Sequence, residues 1–165
     1  MIGICGASGY IGWALYNYLT KNGHEVMGTF YTRPRACLRS FNLREDDFSI
    51  FDGCEFVVIL SAYVKIRWCE MNQIEAYWLN VYRTKELLSY LDKKGIPALF
   101  ISSDAAHTMN TTYGRYKRQV EKHISCGKLN SKYIRPGKIN EDNIGALCKE
   151  IHEYIKLGMR QEVTS

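Results

Sequence analysis

No stretch of this 165-residue chain is apolar for long enough to cross a membrane. Its start, MIGICGASG, runs straight into a strand pattern with no basic stretch before it, so no signal peptide is expected. Six cysteines are present (Cys5, Cys37, Cys54, Cys69, Cys126, Cys148), yet none forms a C-x-x-C pair and no histidine stands at ligand spacing. That scatter gives no support to a metal site and speaks against a disulfide frame; it suits reduced thiols in a cytoplasmic protein. Repeats, low-complexity tracts and linkers are also missing, so a single domain over residues 1–165 is expected. The charge imbalance is small, a net +5 with lysines and arginines spread along the whole chain. It suits a solvated surface or an anionic nucleotide ligand; for nucleic acid there is neither a recognition helix nor a stacking-aromatic motif. His24, His107, His123 and His152 show no partner pattern and read as surface or capping residues.

What is present is alternation. Residues 2–5 read as a short buried strand, followed by a helix over Tyr10–Lys21 with Ile11, Leu15 and Leu19 on one face and Gly23 as terminator. A second strand covers Glu25–Tyr31, a basic loop Thr32–Ser40, a brief third strand Phe41–Leu43 and a short helix Glu45–Phe51. Glu55–Ser61 (EFVVILS) is a continuous apolar run of the kind found in parallel sheets covered on both faces. A long amphipathic helix follows over Ile74–Lys94, stopped by Gly95 and Pro97. Then come a strand at Ala98–Ser102, a helix at Tyr113–Ser125, a strand at Lys132–Arg135 and a last helix at Asp142–Lys156. Strands alternating with helices imply right-handed crossovers, hence an α/β fold: a Rossmann-like doubly wound parallel sheet of about six strands.

Between the first strand and first helix lies Gly6-Ala7-Ser8-Gly9-Tyr10-Ile11-Gly12, a G-x-x-G-x-x-G turn. Gly6 permits the tight turn, Gly9 lets backbone approach a pyrophosphate, and Gly12 allows close helix packing; free N–H groups and the helix dipole then face phosphates. The second strand ends in Tyr31-Thr32-Arg33-Pro34-Arg35, with no carboxylate until Glu45 to hold ribose hydroxyls. Arg33, with Arg35 as its support, suits a 2′-phosphate, so NADP is favoured over NAD.

Further along, Tyr113-Gly-Arg-Tyr-Lys117 places a lysine four residues beyond a tyrosine on one helical face. A tyrosine with its ordinary pKa near 10 is a poor acid–base at neutral pH, and a nearby ammonium favours its phenolate. Ser102 or Ser103, at the carboxyl edge of the fifth strand, offers a hydroxyl to orient a carbonyl. The spacing alone is common, since Tyr90 also stands four residues ahead of Lys94. Tyr113 is set apart by following the fifth strand.

With these stretches in order, together with FVVILSAY (Phe56–Tyr63), WCEMNQIEAYWLNV (Trp68–Val81) and ISSD (Ile101–Asp104), the chain resembles the extended short-chain dehydrogenase/reductase family. The likeness runs in particular to the branch of dTDP-4-dehydrorhamnose reductase and related nucleotide-sugar enzymes and covers roughly residues 2–137. The resemblance implies Ser103 as the catalytic hydroxyl, Tyr113 as the acid–base, and Lys117 as the residue that binds ribose and lowers the tyrosine pKa. It implies that Ser61, Ala62 and Tyr63 line the cofactor ribose and phosphates. It implies Asn42 and Leu43 beside the adenine, where the family usually has an acidic and an aliphatic residue; Asn42 is expected to accept from the adenine amine through its side-chain carbonyl. Ser8, Tyr10 and Ile11 join the three glycines in holding the dinucleotide.

Two departures accompany the likeness. The segment between the serine strand and the tyrosine is short (Asp104–Thr112), and beyond Arg135-Pro136-Gly137 only one helix and a short tail follow, so the substrate lobe is expected to be largely absent. The function this implies is an NADP(H)-dependent reductase or epimerase of a nucleotide sugar or related small carbonyl compound. The alternative is a non-catalytic NAD(P)-binding regulatory or partner-binding module. A homodimer or partner subunit is expected, through helices Ile74–Lys94 and Tyr113–Ser125, with Tyr77, Trp78, Tyr82 and Tyr116 on the shared face.

Overall fold

The computed structural model of the protein describes residues 1–161. Six parallel strands, β1 (Ile2–Cys5), β2 (Val26–Phe30), β3 (Arg39–Ser40), β4 (Phe56–Ile59), β5 (Ala98–Ile101) and β6 (Ser131–Ile134), lie in the order β3-β2-β1-β4-β5-β6. The order reverses between β1 and β4, so the carboxyl ends of these two strands diverge and open a crevice.

The central strands β1, β4 and β5 are buried along their whole length because helices cover both faces. Ile2, Ile4, Val58, Leu99 and Ile101 face α1 (Tyr10–Lys21) and α7 (Ile144–Gln161), where Leu15, Leu19, Leu147, Ile151 and Ile155 complete one core. Val57, Ile59, Ala98 and Phe100 face the other way, toward Leu87, Leu88 and Leu91 of α4 (Thr84–Lys93) and Val120 and Ile124 of α6 (Thr112–Gly127). Two of the expected stops behave as their glycines dictate. Gly23 (φ 82°) and Gly95 (φ 72°) are left-handed. The next residues, His24 and Ile96, donate back to Leu19 and Leu91 at 3.1 and 2.9 Å, the double-bonded helix end that glycine favours.

Other elements differ from expectation. The third strand is Arg39–Ser40, not Phe41–Leu43, because Phe41 and Leu43 turn inward and are 4% and 3% exposed. Of the short helix expected at Glu45–Phe51, only a 3-10 turn at Phe48–Phe51 forms, capped by Asp47 accepting from Ser49 N at 2.7 Å. Two short helices, α2 (Ile66–Met71) and α5 (Ala105–Thr108), fill segments that carry no long periodic pattern.

The long helix is present but not uniform: α3 (Gln73–Tyr77) and α4 are joined by a π-helical stretch at Trp78–Arg83. Thr84 Oγ1 donates to the Leu79 carbonyl at 2.8 Å inside that wide turn. The last helix runs past the expected Lys156 to Gln161; of the expected tail, residues 162–165 lie outside the described residues. Among the described residues no helix is long and apolar enough to cross a membrane.

Candidate active site

The crevice at the carboxyl edge of the sheet is a cleft of about 960 Å³. It is lined by the turn after β1, the ends of β2, β4 and β5, the loop after β3, the first turns of α6 and the segment after β6. Of the residues singled out for catalysis or cofactor binding, Gly6, Ser8, Gly9, Tyr10, Ile11, Gly12, Arg33, Asn42, Leu43, Ser61, Ala62, Tyr63, Ser103, Tyr113 and Lys117 line it. Arg35 does not. Its guanidinium lies 3.9 Å from the Trp13 ring centroid, and Trp13 in turn stacks on Tyr16, so Arg35 is held on the flank of α1.

The glycine turn is shaped from within. Gly6 is left-handed (φ 95°), donates to Thr29 Oγ1 at 3.0 Å, and leaves no room for a side chain, since a Cβ there would meet Ser61 N at 2.8 Å. A Cβ on Gly12 would stand 2.3 Å from the Gly6 carbonyl oxygen, so the start of α1 and the turn touch backbone to backbone. Gly9 is different: a Cβ there would meet only the Gly6 carbonyl oxygen, at 3.5 Å, leaving the space above it for a ligand. Gly9 is also the N-cap of α1 and brings no side chain to the helix's first N–H groups. A second opening is electrostatic. Arg44, in the cleft wall, has a buried Nε with no partner, and its Nη1 reaches only the Tyr63 hydroxyl, at 3.4 Å. Arg44 stands with Asn42 and Leu43 on the cleft wall, where its guanidinium adds positive charge suited to an anionic ligand such as a dinucleotide.

At the adenine-side loop, the Asn42 side-chain carbonyl accepts from Arg44 N at 3.1 Å, so one of its two lone pairs is already used and the other is left for a ligand donor. The loop after β4 is braced by Asn80, which accepts from Tyr63 N at 2.8 Å and donates to the Tyr63 carbonyl at 2.9 Å. Asn80 comes from the π-helical stretch and is buried, so the irregular turn delivers an amide to the cleft's supporting wall.

At the other end, Tyr113 and Ser103 both line the cleft, and Ser103 Oγ accepts from Ala105 N at 3.3 Å. Ser102 is not available. Its hydroxyl donates to Glu121 Oε1 at 2.6 Å, which leaves Ser103 as the candidate hydroxyl in the cleft with Tyr113. Lys117 is 3% exposed, and its Nζ donates to the Ile101 carbonyl at 2.7 Å. The same nitrogen lies 4.4 Å from the Phe100 ring centroid and 5.7 Å from that of Tyr113. Burial pushes the Tyr113 phenol up to about 12, with the Ser103 hydroxyl acting in the opposite sense. Burial also brings the Lys117 ammonium down to about 7, countered by Glu121. The lysine nitrogen is directed at a carbonyl and a ring face, and burial is the largest influence on the Tyr113 phenol.

Several residues were missed by sequence reasoning. Glu121 is one turn beyond Lys117 on the same stripe, and extending the i, i+4 pattern would have found it. Glu70 gave no local signal. Its carboxylate accepts from Thr112 N and Oγ1 at 2.6 and 2.5 Å, capping α6 from 42 residues away, beside the local cap Thr111 Oγ1 on Gly114 N at 3.0 Å. Tyr116 is 9% exposed and its hydroxyl donates to the Gln73 carbonyl at 3.1 Å, so it packs within the chain. Tyr77, Trp78 and Tyr82, at 42%, 42% and 41%, remain at the surface. Among the described residues no three His, Cys, Asp or Glu side chains gather as metal ligands would.

Residues 2–135 match the sequence profile of the NAD dependent epimerase/dehydratase family. No curated protein sequence matches the chain. Among solved structures, a hypothetical dTDP-4-dehydrorhamnose reductase from Sulfolobus tokodaii superposes with a TM-score of 0.72 at 21% identity, over 82% of this chain and 55% of that one. MoeE5 in complex with UDP-glucose and NAD gives 0.70 at 19% identity, over 80% and 52%. A UDP-glucose 4-epimerase gives 0.66 at 22% identity, over 87% and 54%. The chain thus spans about half the length of these structures, and at such identities the likeness is one of fold.

Proposed function

The chain belongs to the NAD-dependent epimerase/dehydratase family, and on that premise we propose that it is a nicotinamide-dependent reductase or epimerase of a nucleotide sugar or a related small carbonyl compound. The observation that carries this reading is convergence. One cleft holds the glycine cradle at one end and Ser103, Tyr113 and Lys117 at the other. MoeE5, similar in fold, holds UDP-glucose and NAD, which supports a nucleotide sugar as the class to try first.

A nicotinamide cofactor, when bound, supplies or takes the hydride. The chain's own residues would do the rest. Backbone N–H groups of the Gly6–Gly12 turn hold phosphate oxygens, and the Arg44 guanidinium on the cleft wall adds positive charge toward the same ligand. Ser103 orients the carbonyl oxygen. Tyr113, its phenol pushed up to about 12 by burial, is protonated at neutral pH and so stands ready to give a proton to an oxygen that gains charge. Lys117 stands against its ring and favours the phenolate left behind.

The second strand ends in Arg33 without a carboxylate, which supports NADP(H); the NAD in MoeE5 supports the other form. We infer NADP(H) from the chain's own residues. Six free thiols among the described residues support a cytoplasmic setting. The exposed Ile74, Tyr77, Trp78 and Tyr82 support a homodimer through the α3–α4 face.

The test is to incubate the protein with NADPH or NADH and a panel of UDP- and dTDP-hexoses and their 4-keto derivatives. Cofactor oxidation and sugar interconversion are then followed for wild type and Tyr113→Phe. Turnover that falls by about 10²–10⁴-fold in the variant while cofactor binding persists is expected. Turnover unaffected by loss of the phenol contradicts the assignment, and binding without turnover on any of the panel returns the protein to a non-catalytic module.

A further inference from the structure

A charge cluster lies behind the Tyr113–Lys117 face of α6, and neither the cradle nor the proton-transfer pair uses it directly. Glu121 is 1% exposed and stands one turn beyond Lys117 and two beyond Tyr113, so all three share one stripe of the helix. Its Oε1 accepts from Ser102 Oγ at 2.6 Å and from Arg135 Nε at 2.7 Å. Its Oε2 accepts from Arg135 Nη2 at 2.6 Å and from Arg118 Nη1 at 3.1 Å. One carboxylate thereby joins α6 to the ends of β5 and β6, and the two-pronged Arg135 contact fixes direction as well as distance.

Packing alone does not call for an anion here. An apolar side chain of similar volume would hold a helix on a sheet as well or better, because a buried ion must first be stripped of water. The charge sits where two geometric demands meet. Ser102 immediately precedes Ser103, so holding the first hydroxyl fixes the backbone of the serine that shares the cleft with Tyr113. Lys117, bound to the Ile101 carbonyl next to Ser102, has the Phe100 ring and Tyr113 around it and Glu121 as the charge that counters its burial. Arg118 and Arg135 act on Glu121, and Asp104 acts on Arg135.

We propose that Glu121 is a positioning residue for Tyr113 and Lys117: by gripping Ser102 and Arg135 it sets the rotation and height of α6 on the sheet edge, so that Tyr113 meets Ser103 and Lys117 reaches the Ile101 carbonyl beside a fixed counter-charge. The inference deepens the proton-transfer reading and rests on it.

The experiment compares wild type, Glu121→Gln, Ser102→Ala and Lys117→Met. NADPH affinity is measured by fluorescence across neutral pH, and the Lys117 side-chain carbon signal is titrated by NMR. Glu121→Gln should move the Lys117 midpoint about one pH unit toward acid and weaken NADPH binding about tenfold at neutral pH. A fold support whose charge does not reach Lys117 would leave that midpoint in place. Ser102→Ala strands no charge and keeps the carboxylate; it should leave the midpoint in place and weaken binding a few-fold, and it carries the test if Glu121→Gln fails to fold. Glu121→Gln that titrates and binds like wild type overturns the proposal, as does wild-type affinity in Ser102→Ala. Lys117→Met separates the two readings. If it loses NADPH affinity while Glu121→Gln does not, the Glu121 inference alone falls. If it turns over the sugar panel like wild type while Glu121→Gln still shifts the midpoint, the proton-transfer reading falls and the Glu121–Lys117 tie stands.

Discussion

Burial of Lys117 creates a proton imbalance between the folded and unfolded chain. Its ammonium titrates near pH 7 when folded and near its ordinary 10.5 when unfolded. Between those values the unfolded chain binds the extra proton, so stability rises with pH across that window, and the destabilisation is present in full below pH 7. Tyr113, pushed up from 10 to about 12, acts in the opposite sense and only in that alkaline range, where the folded chain keeps the proton longer. Lys117→Met is therefore expected to melt at a higher temperature than wild type at neutral pH and to lose the upward slope, while binding cofactor less well. A variant less stable than wild type at pH 7 contradicts this balance. Residues that follow a local period were legible in the sequence: Tyr113 and Lys117 by their spacing, Gly6 and Gly12 by the turn. Arg44, Asn80 and Glu70 were not. Each acts through a partner distant in sequence or through an atom left without one, and neither condition leaves a trace in composition or periodicity.

Two elements carry the site, the turn into α1 and the first turns of α6. A Cβ at Gly12 would press into the Gly6 carbonyl oxygen at 2.3 Å, and neither backbone can yield without moving the cradle. Gly12→Ala is expected to destabilise the fold by about 1–3 kcal/mol, read from denaturant unfolding, and to weaken dinucleotide binding. Unchanged affinity would separate the turn from the ligand. The start of α6 depends on Glu70, reaching across from α2. Replacing it with Gln should lower the melting temperature and leave Gly6–Gly12 binding geometry intact, so that turnover falls further than cofactor affinity. Equal losses in both would argue against a role confined to α6. Helix existence was legible wherever an apolar stripe ran for three turns or more, as in α1, α4 and α7. The short α2 and α5 lack such a stripe, and the π-helical stretch keeps the same side-chain pattern while altering only its backbone, so periodicity could not separate it from ordinary helix.

At the scale of the whole molecule, the sheet order places six strand ends so that the cradle, the serine strand and the tyrosine helix face one crevice. That much followed from alternating strands and helices, because parallel crossovers leave few topologies. How the chain meets other molecules was less legible, since exposure of Trp78 and burial of Tyr116 depend on the rotation of two packed helices rather than on residue type. If the α3–α4 face pairs with its copy, light scattering should report a dimer for wild type and a monomer for Trp78→Glu, whereas a wild-type monomer would remove the homodimer. The central claim is that the cleft holds a nicotinamide dinucleotide. Calorimetric titration of NADPH and NADH into wild type and Arg33→Ala tests it most directly. Micromolar binding is predicted, tighter for NADPH, with the preference lost in Arg33→Ala; wild-type protein that binds neither cofactor would contradict the account.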